Sequence, residues 1–296
     1  MTTVTLSVIC KDEVSDINRI IRDYKDHFDE LHFAIDNQKI FDEFVSVNTN
    51  PCIKFYKYEW INDFADKRNW LADKCETDYY FTIDTDDGIV NPEIIRKVAE
   101  EAKEANYAVV YGFYVYSKDE DGNTNAAHWK ERLVRNSPNL RWNKKIHENI
   151  IPLDMTGHNF NLDERLVVKH NKSHEDIEKS IQRNIKYLVE EYNQDKDKTD
   201  PRTIAYLGRM FFGLGVFDKA RFFLEKHIQL SGWDEDRHLS WCQLADLHRL
   251  QKNYNQAIAC AFEALQEKPE YPDAYLALHL IYFDREMWAK AIEWGE

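Results

Sequence analysis

The chain has 296 residues, 43% of them hydrophobic, which is enough for a large core and two domains. Its 53 acidic against 39 basic residues give a net charge of −14, disfavouring a general electrostatic grip on nucleic acid or anionic lipid. Five widely spaced cysteines without a C-x-x-C pattern argue against a disulfide framework or zinc site, and no stretch approaches the ~20 apolar residues that span a bilayer, so a cytoplasmic protein without a signal peptide is expected.

In chain order the first half alternates strand and helix patterns. "VTLSVIC" (Val4–Cys10) is a β-branched run, and residues 15–28 form an amphipathic helix with Ile17, Ile20, Ile21, Tyr24 and Phe28 on one face. "ELHFAID" and "IKFYKYEW" come next as strands, and residues 62–75 read as a helix capped by Asn62 or Asp63. The strand "YYFTID" runs into the acids Asp84, Asp86 and Asp87, and the next helix carries a proline in its first turn. "YAVVYGFYVYS" and "NAAHWKERLVRN" suggest a hairpin turning at Asp121-Gly122, and "RLVVKHN" is a further strand before a helix from Ser173 to about Tyr192. Repeated strand-helix-strand units predict an α/β domain over residues 1–195 with a mainly parallel sheet, the aspartates lying at the carboxyl end of a central strand.

The charged stretch "NQDKDKTD" marks the expected boundary. Over residues 200–296 the pattern becomes all-α, with about three tetratricopeptide-like units, the last incomplete. Trp241, Leu244, Ala245, Ala257, Ala264 and Pro269 fall at signature positions of one unit, and Gly208 and Ala245 are small enough for paired helices to approach closely. The alternative is a non-repetitive helical bundle. The last unit stops inside its second helix, which leads to the expectation that more chain, or a partner such as a second copy, continues the stack.

Three acids after a buried strand need a positive partner. A calcium loop of EF-hand type fits poorly, because Gly88 comes one place early and a strand precedes it. A haloacid-dehalogenase-like phosphatase would carry its D-x-D on the first strand, and a solvated turn leaves the clustering unexplained. A D-x-D site for Mn²⁺ or Mg²⁺ holding a diphosphate remains, in a chain with neither G-x-G-x-x-G nor a P-loop to cradle phosphate.

Several motifs in order resemble family-2 glycosyltransferases of the GT-A fold, most closely the bacterial and phage group fused to tetratricopeptide repeats. "LSVICKDE" resembles the opening strand with its K-N-E, and "FAID" ends in the matching acid. "WINDFADKRN" resembles W-x-x-D-F-x-x-x-R-N, and "TIDTDD" resembles L-D-A-D-E. "RLVRN" and "RWNKKIHENI" resemble the pair that closes the domain. After Asp36, where the family shows a loop of small residues, this chain has "NQKIFDEF".

The resemblance implies an inverting transferase using a nucleotide-sugar, with UDP-sugar favoured. It implies donor contacts from Glu13, Asp36, Arg68 and Asp84, and metal ligation by Asp86 and Asp84 with Asp87 behind them. Glu148 is the implied base, with Asp154 and Asp163 in reserve, and His170 or His147 a third metal ligand, His170 preferred because it ends a strand. On the residues alone, Arg68 lies near an apolar helix stripe and should pair with a carboxylate or reach the nucleotide, and Glu13 and Asp12 either bind ribose or base or cap a helix. Trp129 and Trp142 offer an acceptor platform or core packing. The basic run Lys130, Arg132, Arg135, Arg141, Lys144 and Lys145 could meet diphosphate or an acidic acceptor. A polypeptide acceptor or partner bound by the repeats is expected first, with a base in DNA or a small glycan as alternatives. The opposing reading is a non-catalytic scaffold with a degenerate sugar-nucleotide fold.

Overall fold

The computed structural model describes residues 1–118, 124–154, 159–171, 174–194 and 199–296. The contacts divide the chain into two compact units, Met1–Ile177 and Glu178–Glu296. The hairpin turn expected at Asp121-Gly122 lies outside the described residues, as do residues 195–198 of the expected boundary.

The first unit begins with β1 (Val4–Cys10), buried at every residue, and α1 (Val14–Tyr24). Next come β2 (Glu30–Ile35), α2 (Gln38–Val47), β3 (Ile53–Lys57), α3 (Phe64–Ala72), β4 (Tyr79–Asp84) and the short β5 (Asp87–Ile89). The unit is completed by α4 (Ile95–Glu104), β6 (Tyr107–Lys118), β7 (Thr124–Arg135), β8 (Leu140–Asn143), β9 (Asn149–Pro152) and β10 (Asn159–His170). Eight strands form one sheet in the order β3-β2-β1-β4-β7-β6-β10-β5, while β8 and β9 form a separate hairpin.

Strands β3, β2, β1 and β4 are parallel, and so are β6 and β10. The sheet is nevertheless mixed, because β7 runs antiparallel to both its neighbours and β5 antiparallel to β10. The physical reason is chain length: β6 leads into β7 as a hairpin, and a parallel return would need a long crossover. The segment after Asp36 is α2, whose start is fixed by the Asn37 side chain accepting from the amides of Lys39 and Ile40. Asp63, the second of the two caps considered, accepts from the amide of Asp66 at the start of α3. The core beneath β1, β2 and β4 is built from their inward side chains with Ile17, Ile20 and Tyr24 of α1 and Ile95 and Val98 of α4.

The second unit is helical. Most of α5 (His174–Gln194) belongs to it and packs with the helices further along the chain: Tyr192 sits edge-on to Phe223, and Thr203 donates to Glu191 at 2.9 Å. Helices α6 (Pro201–Gly213), α7 (Phe217–Leu230), α8 (Asp234–Leu250), α9 (Tyr254–Glu267), α10 (Pro272–Asp284) and α11 (Trp288–Gly295) pack in consecutive pairs. At Gly208 a Cβ would come within 2.8 Å of Leu224 Cδ2, so the absent side chain is what lets α6 and α7 meet. Ala245 is fully buried in the next pair. Among the described residues no helix is long and apolar enough to cross a membrane.

Candidate active site

The carboxyl ends of β1, β2 and β4 lie side by side, and three buried cations, two from α3 and one from β7, bond to residues there. Arg68 of α3 is the first. Its Nη2 donates to Asp84 Oδ1 at 2.6 Å, its Nη1 to Thr82 Oγ1 at 3.0 Å and its Nε to Glu148 Oε1 at 3.0 Å, while its guanidinium lies 5.3 Å from the Trp142 ring. One arginine thus ties the first acid of the D-x-D to the candidate base. The β8–β9 hairpin delivers Glu148, and α3 docks that hairpin at both ends: Asn69 exchanges two bonds with the Trp142 backbone, and the Phe64 amide donates to Lys145 O.

Lys67, also on α3, is the second cation and one that sequence reasoning missed. It donates to Cys10 O at 2.6 Å and to Asp36 Oδ1, with the Tyr58 and Trp60 rings 5.4 and 5.7 Å away. It joins the tip of β1 to Asp36 just beyond β2. Burial pushes its ammonium pKa down, against the pull of Asp36. Its only sequence signal was a lysine beside Arg68 on a helix that otherwise reads as amphipathic.

Arg132 of β7 is the third, and it serves Asp87. Both are fully buried; Arg132 Nη1 lies 3.3 Å from Asp87 Oδ2 and 3.0 Å from Thr82 O. Asp87 Oδ2 also accepts from the Asp84 amide at 3.2 Å, and Oδ1 from the Tyr114 hydroxyl at 2.8 Å. Arg19 of α1 clamps the turn from outside, donating to Thr85 O and Asp87 O.

His170 arrives from 83 residues away because β10 pairs antiparallel with β5 in a register that sets it opposite Asp87. Its Nδ1 is 2.7 Å from the Tyr114 hydroxyl, 3.4 Å from Asp87 Oδ1 and 3.9 Å from Asp86 Oδ1, and its ring stacks on Tyr116. Asp86, Asp87 and His170 offer ligand atoms that all lie within 4.8 Å of one another. Two carboxylates and an imidazole suit Mn²⁺ or Mg²⁺ chemically. Nδ1 is the ring nitrogen that faces both carboxylates, so an imidazole protonated on Nε2 would turn its lone pair toward an ion held there. Asp84 stands apart from this trio, its Oδ1 engaged by Arg68 and its carboxylate one-third exposed.

Burial alone would raise the acids' pKa values. At Asp84 the charges of Arg68, Lys130 and Arg132 more than offset this, and the carboxyl is held far below its usual range. At Asp87 burial is opposed chiefly by Arg132 and then by His170, with the same net direction. The Tyr114 phenol is pushed up by burial and by the charge of Asp87. Arg68 stays protonated despite burial because Asp84 and Glu148 flank it.

The other expected residues have settings of their own. Glu13 turns back on its own loop, Oε2 accepting from the amides of Lys11 and Asp12. Asp163 is engaged by Arg165, which also pairs with Glu101. Asp154 lies exposed just past β9, and His147 adopts a positive φ beside Glu148. Trp142 is core, donating to Tyr80, whereas Trp129 is partly exposed. The basic run is dispersed into separate contacts: Arg132 faces Asp87, Arg135 bonds Tyr107 O, Arg141 pairs with Asp73, and Lys130 lies over Tyr114.

Acids and buried cations gathered at the strand tips of an open α/β sheet define a class, an enzyme domain that receives its ligand at the carboxyl edge. More narrowly, the chain belongs to glycosyl transferase family 2, which matches residues 8–166. It is similar to the SPbeta prophage-derived glycosyltransferase SunS of Bacillus subtilis (strain 168) and to glycosyltransferase SunS of Bacillus phage SPbeta. Each is 23% identical over 253 residues, 80% of this chain and 56% of the relative, so the chain spans about half the length of these curated relatives. Among solved structures, S. aureus TarS 1–349 in complex with UDP aligns over 99% of this chain and 89% of its own, at 14% identity and a TM-score of 0.41.

Proposed function

We propose that this protein is a metal-dependent, inverting glycosyltransferase that moves a sugar from a UDP-sugar to a polypeptide. The single observation that carries the reading is Arg68, which joins the D-x-D acid Asp84 to Glu148 beside the Asp86–Asp87–His170 trio. When bound there through Asp86, His170 and Asp87, a divalent ion supplies charge to offset a departing diphosphate.

The chain's own residues do the rest. Arg68, itself bonded to the Thr82 hydroxyl, fixes Asp84 through Oδ1, leaving the other oxygen for the donor. Lys67 holds Asp36 by one carboxylate oxygen, leaving the other for a nucleobase or ribose. Glu148, held through Oε1, presents Oε2 to the acceptor and takes its proton as the new glycosidic bond forms on the face opposite the leaving group. The helical pairs of the second unit, read as tetratricopeptide-like repeats, hold a peptide acceptor. Engagement of Arg132, Arg135 and Arg141 in internal contacts weighs against DNA as acceptor, because these three cations of the run are not offered to a phosphate backbone.

A thermal-shift panel of nucleoside diphosphates and UDP-sugars, with and without Mn²⁺, tests the donor. UDP with Mn²⁺ should raise the melting temperature, and mass spectrometry of peptide mixtures incubated with UDP-sugars should show added hexose. No shift with any nucleotide would sink the reading in favour of a scaffold.

A further inference from the structure

We propose that Arg132 is a resident counter-ion to Asp87 that keeps the Asp86–Asp87–His170 pocket from holding a divalent ion by itself, so that metal loading depends on a bound nucleoside diphosphate. The inference rests on the metal-and-nucleotide reading of the site and adds a residue which that reading does not use.

Three features of the fold build this arrangement. Opposite β6, the register of β7 slips between Val110 and Tyr111, which pair with Leu133 and Glu131, so Arg132 is the extra residue of a bulge. A bulge re-aims a side chain, and here it turns Arg132 toward the sheet's acid cluster. Gly112 of β6 supplies the space: a Cβ there would lie 3.0 Å from Arg132 Cγ and 2.8 Å from Leu166 O. Finally, the guanidinium is 1% exposed, lies 4.4 Å from the Tyr114 ring, and has two nitrogens, Nε and Nη2, without a hydrogen-bond partner. A buried cation with three of its five N–H donors unused is a poor stabilising device, and its hydrogen-bonded contacts are Asp87 Oδ2 and Thr82 O.

The consequence is electrostatic. An ion at the trio would see two carboxylates, but the charge of Asp87 is already balanced by a cation bonded to it. The net attraction is then close to that of Asp86 alone, and the guanidinium repels the incoming dication at short range. A diphosphate adds several negative charges on the open side and reverses that balance. Metal and nucleotide should therefore bind cooperatively, each tightening the other by the same factor.

The test measures Mn²⁺ affinity by isothermal titration calorimetry, with and without UDP, on the full chain and on Arg132→Gln and Arg132→Lys. In the unaltered protein UDP should tighten Mn²⁺ by about tenfold or more. Arg132→Gln should bind Mn²⁺ alone about tenfold more tightly and lose most of that coupling, while Arg132→Lys, which keeps the charge, should behave as the parent. The melting temperature of Arg132→Gln should also respond to Mn²⁺ without nucleotide, because the ion takes over the guanidinium's place beside Asp87. Equal coupling in parent and Arg132→Gln overturns the proposal while leaving the donor reading intact; absence of any Mn²⁺ or UDP binding to the parent overturns the donor reading itself. If Arg132→Gln does not fold, Gly112→Ala, which crowds the arginine's stem, serves instead, and unchanged Mn²⁺ affinity in that variant counts against the proposal.

Discussion

The strand-tip site and the helical unit solve opposite problems. The site buries Lys67, Arg68, Arg132 and Asp87, whereas among the described residues of the helical unit no lysine, arginine or carboxylate is fully buried. The core of that unit is leucine, alanine and aromatic, with the buried His227 bonded to Ser240 and facing Asp236 as one of its few polar contacts. A buried ion pair seldom stabilises more than well-packed hydrocarbon of equal volume. Fully buried lysine, arginine and aspartate in the first unit, and none among the described residues of the second, therefore set the strand-tip site apart as the costly feature of the molecule.

That contrast can be broken by experiment. The largest effect should come from Asp86→Ala, which removes a carboxylate of the trio with little strain: kcat/KM for UDP-sugar hydrolysis or transfer should fall by about 10³-fold with the melting temperature nearly unchanged. Arg68→Met should cost about 3 kcal/mol in urea unfolding, because it leaves Asp84 and Glu148 without their shared cation. A neutral result there would erase the distinction between the two regions. In the helical unit the equivalent injury is steric. Gly208→Ala should cost about 1–3 kcal/mol by driving α6 from Leu224, while UDP affinity in the first unit stays the same.

Acid should act more gradually. The native pKa values of Asp84 and Asp87 lie below their unfolded values, so the stability they contribute is complete above the ordinary carboxylate pKa of about 4 and is lost as pH falls through the depressed values. Melting temperature measured from pH 7 downward should drop below pH of about 4, and Asp87→Asn should show a shallower slope over that range.

Much of this site was legible in one dimension. Periodicity placed Asp84, Asp86 and Asp87 at a strand end, and the helix stripe made Arg68 a partner for an acid. The parts that were not legible depended on pairing. Arg132 read as one member of a basic run, because no local pattern announces a bulge that turns a single side chain inward. Lys67 drew no notice in the sequence, because its partners, Cys10 O at the end of β1 and Asp36 just beyond β2, lie 57 and 31 residues away. The helix after Asp36 was hidden by comparison with a loop, although Asn37 carried the cap.

By itself the sequence determined the central strands and most of the longer helices, where the acids cluster, and that small residues such as Gly208 permit close helix pairs. Those are consequences of local stereochemistry and of periods of two and 3.6 residues. Only the tertiary structure decided which cation meets which acid. Strand order and register set His170 opposite Asp87, the docked hairpin carried Glu148 to Arg68, and a one-residue bulge aimed Arg132. Such contacts join residues tens of positions apart, and their energies exist only after the sheet has closed and water has been driven from between the charges.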